Sequence, residues 1–210
     1  MASFEQLLSK SLIFPVVVID DFRKAADLGR ALVDSGLPIA EVTLRTPESW
    51  QAIEEMLKVD KLEVGVGSIK SGEDIQRAHS LGASFAVSPG FTDELALHAK
   101  SLNLAYIPGV STPSEIMSAL SNGFTLLKWF PAESLGGVSA LRSIAAPFPG
   151  VRFIPTGGIT LENIRDYLAL DFVAAVGGSW MVPREALKMG DFAAIKADTE
   201  NALSVVRSLR

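Results

Sequence analysis

Eight short apolar runs are spaced along this chain at intervals of about 20 to 25 residues, each followed by a polar turn and an amphipathic stretch. The runs cover residues 14–20, 39–45, 63–69, 85–90, 104–110, 126–132, 153–159 and 174–180. A short apolar strand followed by a helix, repeated in this way, is typical of parallel strands that are buried on both faces. The repeat therefore predicts an α/β protein with parallel strands at its centre.

Helix start signals follow several of these runs. In "STPSE", Thr112 is a candidate N-cap, Pro113 suits the first helical position, and Glu115 completes a capping box. The segments "RTPES", "KSGED" and "GITLEN" predict similar N-caps at Thr46, Ser71 and Thr160. These signals divide the chain into repeated units of strand, turn and helix.

Eight such units predict a closed (β/α)8 TIM barrel, for which 210 residues is near the lower end of the usual range. An open doubly wound sheet is the alternative, but its dinucleotide fingerprint, G-x-G-x-x-G, is absent after the first run. The leading segment 4–12, "FEQLLSKSL", predicts an extra N-terminal helix at the bottom of the barrel. Because no linker or low-complexity stretch divides the chain, we expect residues 1–210 to form a single domain.

Composition argues against several classes of function. The net charge is -5 at pH 7, with acidic and basic residues interspersed, so the sequence has no basic stripe for nucleic acid. It contains no cysteine, and its two histidines, His79 and His98, lie in predicted helices, so we expect neither a metal site nor a cofactor. The sequence shows no signal-peptide pattern and no apolar stretch long enough to span a bilayer, which predicts a soluble cytoplasmic protein.

The stretch "TLLKWFPAE" places a lysine, Lys128, among the large apolar residues of the sixth run. Burial disfavours the charged form of a lysine, and the neutral amine is a nucleophile that adds to carbonyl groups. A buried Lys128 would therefore form a Schiff base whose iminium acts as an electron sink. The alternative is a structural lysine whose ammonium group reaches solvent or pairs with a carboxylate.

Three polar residues of the second run, Glu41, Thr43 and Arg45, share one face because side chains alternate along a strand. In TIM barrels the active site lies at the carboxyl-terminal ends of the strands, where these residues are expected. Arg45 suits a substrate carboxylate, which a guanidinium binds through two parallel hydrogen bonds, and Glu41 suits proton transfer. The alternative is a charge pair that only stabilises the barrel.

Glycine pairs in "PTGGIT" and "VGGSW" end the seventh and eighth runs, where many barrels of this type bind phosphate through backbone N–H groups. Glycine lets the backbone approach an anion closely, and Thr156 and Ser179 add hydroxyl donors beside the pairs. The alternative is that the glycines only form tight turns. The candidate phosphate-binding glycines are Gly157, Gly158, Gly177 and Gly178.

Together these residues describe one small-molecule substrate, with a carboxylate at Arg45, a ketone at Lys128 and a phosphate at the paired glycines. A phosphorylated 2-keto sugar acid has all three groups. An iminium at its ketone favours retro-aldol cleavage between the third and fourth carbons, which gives a pyruvate enamine and a phosphorylated aldehyde. Since the sequence offers no plausible set of metal ligands, the iminium is the expected electron sink.

Seven motifs, in order over nearly the whole chain, closely resemble the class I aldolases that cleave 2-keto-3-deoxy-6-phosphogluconate (KDPG), whose members also act on 4-hydroxy-2-oxoglutarate (KHG). The motifs are "EVTLRT", "VGVGSI", "SPGFT", "IPGVST", "KWFPAE", "PTGGI" and "VGGSW". The resemblance implies a lyase of the Entner-Doudoroff type that forms pyruvate and glyceraldehyde 3-phosphate from KDPG, or pyruvate and glyoxylate from KHG. It also implies a homotrimer, the usual state of the family.

By this resemblance, Lys128 is the Schiff-base lysine and Glu41 is the general acid and base. Arg45 and the hydroxyl of Ser68 are the implied clamp for the pyruvate carboxylate. The resemblance further implies that Phe130 and Pro89 are pocket walls and that the phosphate end is formed by Gly157, Gly158 and Ser179, with Thr156 nearby.

Two positions depart from the family pattern. Ser68 replaces the usual threonine, which keeps the hydroxyl and removes a methyl group, so we expect a looser carboxylate site. Trp129 replaces the commoner phenylalanine and is expected to face the helical layer, away from Lys128. Three other functions stay open: a phosphosugar isomerase or epimerase that forms no imine, a non-catalytic barrel that binds a phosphorylated metabolite, and an aldolase for the galactonate epimer.

Overall fold

The computed structural model describes Leu8 and residues 11–209. The strands are β1 (Ile13–Val17), β2 (Ile39–Thr43), β3 (Glu63–Gly67), β4 (Phe85–Val87), β5 (Ala105–Ile107), β6 (Gly109–Val110), β7 (Leu126–Trp129), β8 (Arg152–Pro155) and β9 (Val176–Gly178). Each of the eight predicted runs overlaps a strand, and the fifth contains two, separated by Pro108. The predicted helix over residues 4–12 lies largely outside the described residues.

Nine α-helices alternate with these strands in the described part of the chain. They are α1 (Ala25–Asp34), α2 (Ser49–Met56), α3 (Gly72–Leu81), α4 (Asp93–Ser101), α5 (Pro113–Ser121), α6 (Gly137–Ala145), α7 (Ile164–Leu168), α8 (Arg184–Met189) and α9 (Phe192–Arg207). Two 3-10 helices, Phe22–Lys24 and Glu133–Leu135, follow β1 and β7. None of these helices combines the length and the hydrophobicity that a membrane span requires.

The strands pair in parallel throughout the two sheets. One sheet has the order β5-β4-β3-β2-β1-β9, and the other has the order β6-β7-β8. Isolated parallel bridges join Phe153 to Val173 and Thr156 to Gly177, so that β8 lies beside the segment that contains β9. The chain therefore has a mixed α/β fold in which parallel strands curl in the manner of a TIM barrel.

Two of the four predicted N-caps are confirmed. Ser71 and Thr112 each cap the third residue of the helix that follows, and each belongs to a complete capping box. The prediction for Thr46 is wrong, because its hydroxyl donates instead to the carbonyl of Ile19 at 2.6 Å and α2 begins only at Ser49.

The predicted N-cap at Thr160 is also wrong. Its hydroxyl accepts a hydrogen bond from the N–H of Glu162 at 3.3 Å, within a turn, and α7 begins four residues later at Ile164. In return, the side chain of Asn163 accepts from the N–H of Thr160 at 2.9 Å. Thr160 therefore stabilises the turn that follows β8, which is an Asx- or ST-type turn and not a helix start.

The strands are buried on both faces, as parallel strands between helices require. All five residues of β1 and of β2 are buried, and so are the central residues of β3, β4 and β8. Each fully buried Val, Leu, Ile or Phe stabilises the fold by about 1.5 to 3 kcal/mol relative to an exposed one. This packing gives the polar side chains of the strands fixed positions.

Candidate active site

Lys128 lies on β7 between Leu127 and Trp129, and its side chain is almost completely buried at 3% exposure. Its two neighbours are fully buried as well, and by strand alternation they point to the opposite face. The Nζ atom donates to both carboxylate oxygens of Glu41, at 3.1 and 3.3 Å, and lies 5.3 Å from the ring centre of Phe130. The lysine thus pairs with a carboxylate in the protein interior and does not reach solvent.

Glu41 lies on β2 and is 0% exposed. It pairs with Lys128 across 87 residues of sequence, and no ion pair joins it to Arg45 among the described residues. The alternative of a charge pair within the second run is therefore not observed among the described residues, and Glu41 pairs instead with a residue of another strand. Taking two charges out of water is costly, and the hydrogen bonds between them offset that cost.

Gly67 makes room for the Glu41 carboxylate, a role that the sequence reasoning missed. A Cβ atom on Gly67 would lie 2.1 Å from Oε1 of Glu41 and 2.5 Å from its Cγ. Gly65, on the same face of β3, leaves room for the ring of Phe85 in the same way, since an added Cβ would lie 2.0 Å from that ring. The alternating glycines of "EVGVG" are the available sequence signal for two large groups packed against this strand.

Arg45 follows β2 and is exposed, and its Nε donates to the hydroxyl of Ser68 at 3.3 Å. Ser68 follows β3 and has a φ of 61°, in the left-handed region. The two residues of the predicted carboxylate clamp therefore lie together. Thr43 is buried and donates its hydroxyl to the carbonyl of Val17 at 2.9 Å, so it connects β2 to β1.

A cavity of about 140 Å³ opens beside this group. It brings Arg45 and Phe130 together with the predicted phosphate end, and it contains three wall residues that the sequence reasoning missed, Val16, Val18 and Ile159. The lining does not include the predicted site residues Lys128, Glu41, Ser68 and Pro89. The lining residues are Val16, Val18, Arg45, Phe130, Thr156, Gly157, Gly158, Ile159, Gly178 and Ser179.

The glycine end of the cavity consists of two adjacent turns. Gly157 and Gly158 have φ values of 98° and 80°, a conformation that favours glycine and that turns successive N–H groups toward one point. In the described part of the chain, the N–H groups of Gly158 and Ser179 donate to no protein acceptor. They are free to bind an anion.

Thr156 and Gly178 line the cavity, whereas Gly177 does not. The hydroxyl of Thr156 is buried and donates to the carbonyl of Ile154 at 3.4 Å. Gly177 lies against that threonine and is absent from the cavity lining, because a Cβ on it would lie 2.6 Å from Oγ1 of Thr156. Gly178 reaches the cavity and also leaves room for the ring of Trp180.

The end of β4 is joined to β5 by a polar contact outside the cavity. The hydroxyl of Ser88 lies 2.6 Å from that of Tyr106 and donates to the carbonyl of Gly90 at 2.5 Å. Burial raises the pKa of Tyr106 to about 12, against a smaller opposite effect of the hydrogen bond with Ser88. Pro89, a predicted pocket wall, is exposed and lies against Gly109, where a Cβ would come within 2.4 Å of the proline carbonyl.

A second cavity, of about 210 Å³, contains none of the predicted site residues. It lies between the segment after β1 and helix α8 and is lined by Asp20, Asp21, Lys24, Arg184, Leu187 and Lys188. Its main feature is a bidentate ion pair, in which Arg184 donates to both carboxylate oxygens of Asp20 at 2.6 and 2.7 Å. The hydrogen bonds from Arg184 lower the pKa of Asp20.

Several known proteins resemble this chain over most of its length. A family model described as KDPG and KHG aldolase matches residues 4–197. The chain is 43% identical over 203 residues to the 2-dehydro-3-deoxy-phosphogluconate aldolase of Dickeya dadantii, covering 96% of this chain and 95% of that protein. It is 44% identical over 191 residues to the KHG/KDPG aldolase of Escherichia coli K12, covering 90% of each.

A solved structure extends the likeness to three dimensions. The KDPG aldolase of Legionella pneumophila superimposes with a TM-score of 0.91 at 37% identity, covering 94% of this chain and 97% of that one. That protein was crystallised with pyruvate captured as a covalent carbinolamine intermediate. The similarity therefore covers almost the whole length of both chains.

Proposed function

Because the chain belongs to the KDPG and KHG aldolase family, we propose that it cleaves KDPG to pyruvate and glyceraldehyde 3-phosphate, and KHG to pyruvate and glyoxylate. The protein is an aldolase and thus a lyase. The observation that carries the proposed mechanism is the buried pair of Lys128 and Glu41, 3.1 Å apart, beside the cavity that Phe130 lines. An amine with its own proton acceptor in a dry site is what covalent catalysis at a ketone requires.

The first step is addition of Lys128 to the ketone. Glu41 accepts a proton from the ammonium group, and the neutral Nζ forms a bond to C2 while the carbonyl electron pair moves to oxygen. Glu41 returns its proton to that oxygen and gives a carbinolamine. It then moves a second proton from nitrogen to the hydroxyl, which leaves as water, so that a cationic iminium remains.

Cleavage follows because the iminium accepts electrons. Glu41 takes the proton of the C4 hydroxyl, C4 becomes the aldehyde carbon of the leaving product, and the electron pair of the C3–C4 bond forms an enamine. Glu41 then protonates C3, and water hydrolyses the new iminium to release pyruvate and Lys128. One carboxylate within hydrogen-bond reach of Nζ is placed to exchange protons in each of these steps.

We assign the pyruvate carboxylate to Arg45 and Ser68. The guanidinium lines the cavity, and its Nε is already oriented by the Ser68 hydroxyl at 3.3 Å. An orientated guanidinium binds a carboxylate with less loss of side-chain freedom than a mobile one. The assignment also agrees with the positions of both residues at the ends of adjacent strands.

We assign the phosphate to the glycine end, where the donors are neutral. Among the described residues lining the cavity, Arg45 is the only cation, and we assign it to the other end of the substrate. The phosphate would therefore be held by the N–H groups of Gly158 and Ser179 and by the Ser179 hydroxyl. Phe130 and Thr156, which line the cavity, are the proposed pocket residues, and Pro89 is a proposed wall outside that lining. Gly157 and Gly178 are the remaining members of the proposed phosphate end.

We also propose a closed barrel and a trimeric assembly for this chain. The bridges from β8 to β9, and the continuity of β5 with β6, support a closed (β/α)8 barrel. We propose that residues 1–210 form one domain, and the apolar pattern of residues 4–12 supports an extra N-terminal helix. A homotrimer would cover apolar surface such as Leu97 and Met117, which are 69% and 62% exposed. A cytoplasmic location fits a charged phosphorylated substrate, which does not cross a bilayer unaided.

Borohydride trapping tests the mechanism. The protein is incubated with pyruvate and sodium borohydride, its intact mass is measured, and the modified peptide is mapped. We expect a reduced pyruvyl adduct on Lys128, and none in Lys128→Arg, because a guanidinium stays charged and forms no imine. Lys128→Arg should also lose KDPG cleavage while circular dichroism shows a folded protein.

The same experiment separates the competing functions. A folded wild-type protein that gains no mass would refute the imine and would favour an isomerase, an epimerase or a binding barrel. An adduct on Lys128 without KDPG cleavage would support the imine mechanism and rule out KDPG as the substrate. Parallel assays with the galactonate epimer then measure the preference at C4.

A further inference from the structure

Glu133 ends the motif "KWFPAE" and is connected to the phosphate end, although the mechanism does not use it. Its N–H donates to the carbonyl of Gly157 at 3.1 Å, and the N–H of Ala132 donates to the carbonyl of Thr156 at 2.8 Å. Two consecutive backbone hydrogen bonds therefore join the start of the 3-10 helix to the turn that follows β8. A movement of Glu133 would be transmitted to the turn.

The side chain of Glu133 packs on the same turn. A Cβ atom on Gly158 would lie 2.6 Å from Cβ and 2.7 Å from Cγ of Glu133, so the stem of the glutamate covers that glycine. Glu133 is nevertheless absent from the residues that line the cavity. Its carboxylate is thus near the phosphate end of the site and outside it.

Tyr167 determines where that carboxylate lies. The hydroxyl of Tyr167 donates to Oε1 of Glu133 at 2.5 Å. Tyr167 lies on α7 and is 0% exposed, so its ring is held by the core and the hydroxyl has a fixed position. Burial, and then the Glu133 carboxylate, raise the pKa of Tyr167, which keeps the hydroxyl protonated as a donor.

The charge of Glu133 makes this position important for substrate binding. A phosphate monoester carries close to two negative charges at neutral pH, and a carboxylate beside it would repel it. The neutral N–H donors of Gly158 and Ser179 offer no local cation to offset such repulsion. A free Glu133 side chain would also compete with the phosphate for the N–H groups of the turn.

We propose that Tyr167 is a positioning residue for phosphorylated substrate: its hydroxyl holds the Glu133 carboxylate outside the pocket and keeps the turn of Gly157 and Gly158 open to the phosphate. The inference rests on the proposed function, because it presupposes that KDPG binds with its phosphate at this turn. It assigns a specificity role to two residues that do not touch the reacting carbons. KHG has no phosphate and does not depend on the arrangement.

Tyr167→Phe tests the proposal, because it removes the hydroxyl and keeps the buried ring. We expect KM for KDPG to rise by about tenfold, the scale of losing one hydrogen bond to a charged group, with kcat nearly unchanged. Both constants for KHG should stay at the wild-type values. Tyr106→Phe is the matched control, since it removes another buried hydroxyl, which is bonded to Ser88. It should not change KM for KDPG relative to KM for KHG.

Two variants of Glu133 separate charge from packing. Glu133→Gln keeps the length of the side chain and removes its charge, so Tyr167→Phe in this background should leave KM for KDPG near the wild-type value. Glu133→Asp keeps the charge and shortens the side chain, so it should lose the contact with Tyr167 and raise KM for KDPG while KHG is unaffected. Because Glu133→Asp and Glu133→Gln leave Tyr167 intact, comparing them tests the proposal even if Tyr167→Phe does not fold.

Binding of inorganic phosphate, measured by calorimetry on the folded proteins, gives a readout that does not require turnover. We expect weaker phosphate binding in Tyr167→Phe and Glu133→Asp than in the wild type and Glu133→Gln. The proposal would be overturned if Tyr167→Phe raised KM for KDPG and KM for KHG by the same factor. It would also be overturned if Glu133→Asp and Glu133→Gln bound phosphate equally well. A wild-type protein that does not cleave KDPG at all would instead contradict the proposed function.

Discussion

Replacing Gly67 by alanine should displace the Glu41 carboxylate, the proposed proton carrier, without removing any group from the site. The added Cβ would lie 2.1 Å from Oε1, 2.5 Å from Cγ and 2.7 Å from Cδ of Glu41, and real Cβ atoms essentially never come within 3.0 Å of a neighbour. Gly67 is outside the left-handed region, so alanine fits its backbone and the effect is one of space alone. Either Glu41 moves or strand β3 does.

The required movement is roughly 1 Å, because Oε1 must retreat from 2.1 Å to beyond 3.0 Å. Glu41 is fully buried and hydrogen-bonded through both oxygens to Lys128, so it cannot turn aside into open space. A misplacement of this size costs about 10²-fold in rate, and overpacking a buried site costs about 1 to 3 kcal/mol of stability. We therefore expect kcat for KDPG to fall by about 100-fold.

The assay measures three quantities on Gly67→Ala: kcat for KDPG, the midpoint of urea unfolding, and the extent of borohydride trapping with pyruvate. Because Lys128 is intact, trapping should reach completion, although more slowly than in the wild type. Gly90→Ala is the control, since an added Cβ there meets no atom within 4 Å. Its kcat, unfolding midpoint and trapping should equal those of the wild type. If kcat of Gly67→Ala stays within about threefold of the wild-type value, then turnover does not depend on this packing of Glu41.

Three further predictions concern charged groups. Glu41→Gln should slow turnover by about 10²- to 10⁴-fold while borohydride still traps pyruvate on Lys128, and an unchanged kcat would remove Glu41 from the mechanism. Lys128→Met leaves the Glu41 carboxylate buried and unpaired, so urea unfolding should show a loss of about 3 to 5 kcal/mol, whereas a binding barrel with a dispensable pair predicts no loss or a gain. Asp20 has a lowered pKa in the folded protein, mainly through hydrogen bonds from Arg184, so its contribution is present above the ordinary value of 3.8 and is lost as the pH falls through the lowered pKa. Asp20→Asn should therefore be less stable than the wild type by about 0.2 to 1 kcal/mol at pH 6, and a difference in urea unfolding that does not shrink as the pH is lowered below 3.8 would contradict this assignment.

The strands were predictable because each apolar run is short and is followed by a local stop signal. The N-caps at Ser71 and Thr112 were predictable for the same reason, since a capping box involves only four consecutive residues. Thr46 has the same local pattern, yet its hydroxyl bonds to Ile19 on a neighbouring segment. A tertiary hydrogen bond of this kind is not encoded within the local window, so the pattern alone cannot separate the two cases.

Among the site residues, too, local patterns were predictable from the sequence and tertiary contacts were not. Strand alternation places Glu41 on the inward face of β2, but it does not indicate that the partner of Glu41 is Lys128, 87 residues away. That pairing depends on how the strands curl around to face each other. The role of Gly67 follows only once the partner is known, because the space it leaves is defined by the position of the Glu41 carboxylate.

Ser68 shows how backbone conformation changes the meaning of a substitution. From the sequence, serine in place of threonine loses a methyl group and predicts a looser carboxylate clamp. In the structure, Ser68 has a φ of 61°, where a β-branched residue is strained, so serine also relieves the backbone while its hydroxyl still accepts from Arg45 at 3.3 Å. The substitution therefore exchanges side-chain packing for an easier turn. Because the turn places the hydroxyl, the guanidinium keeps its orientation, and we expect the proposed clamp to depend on backbone conformation more than on the missing methyl group.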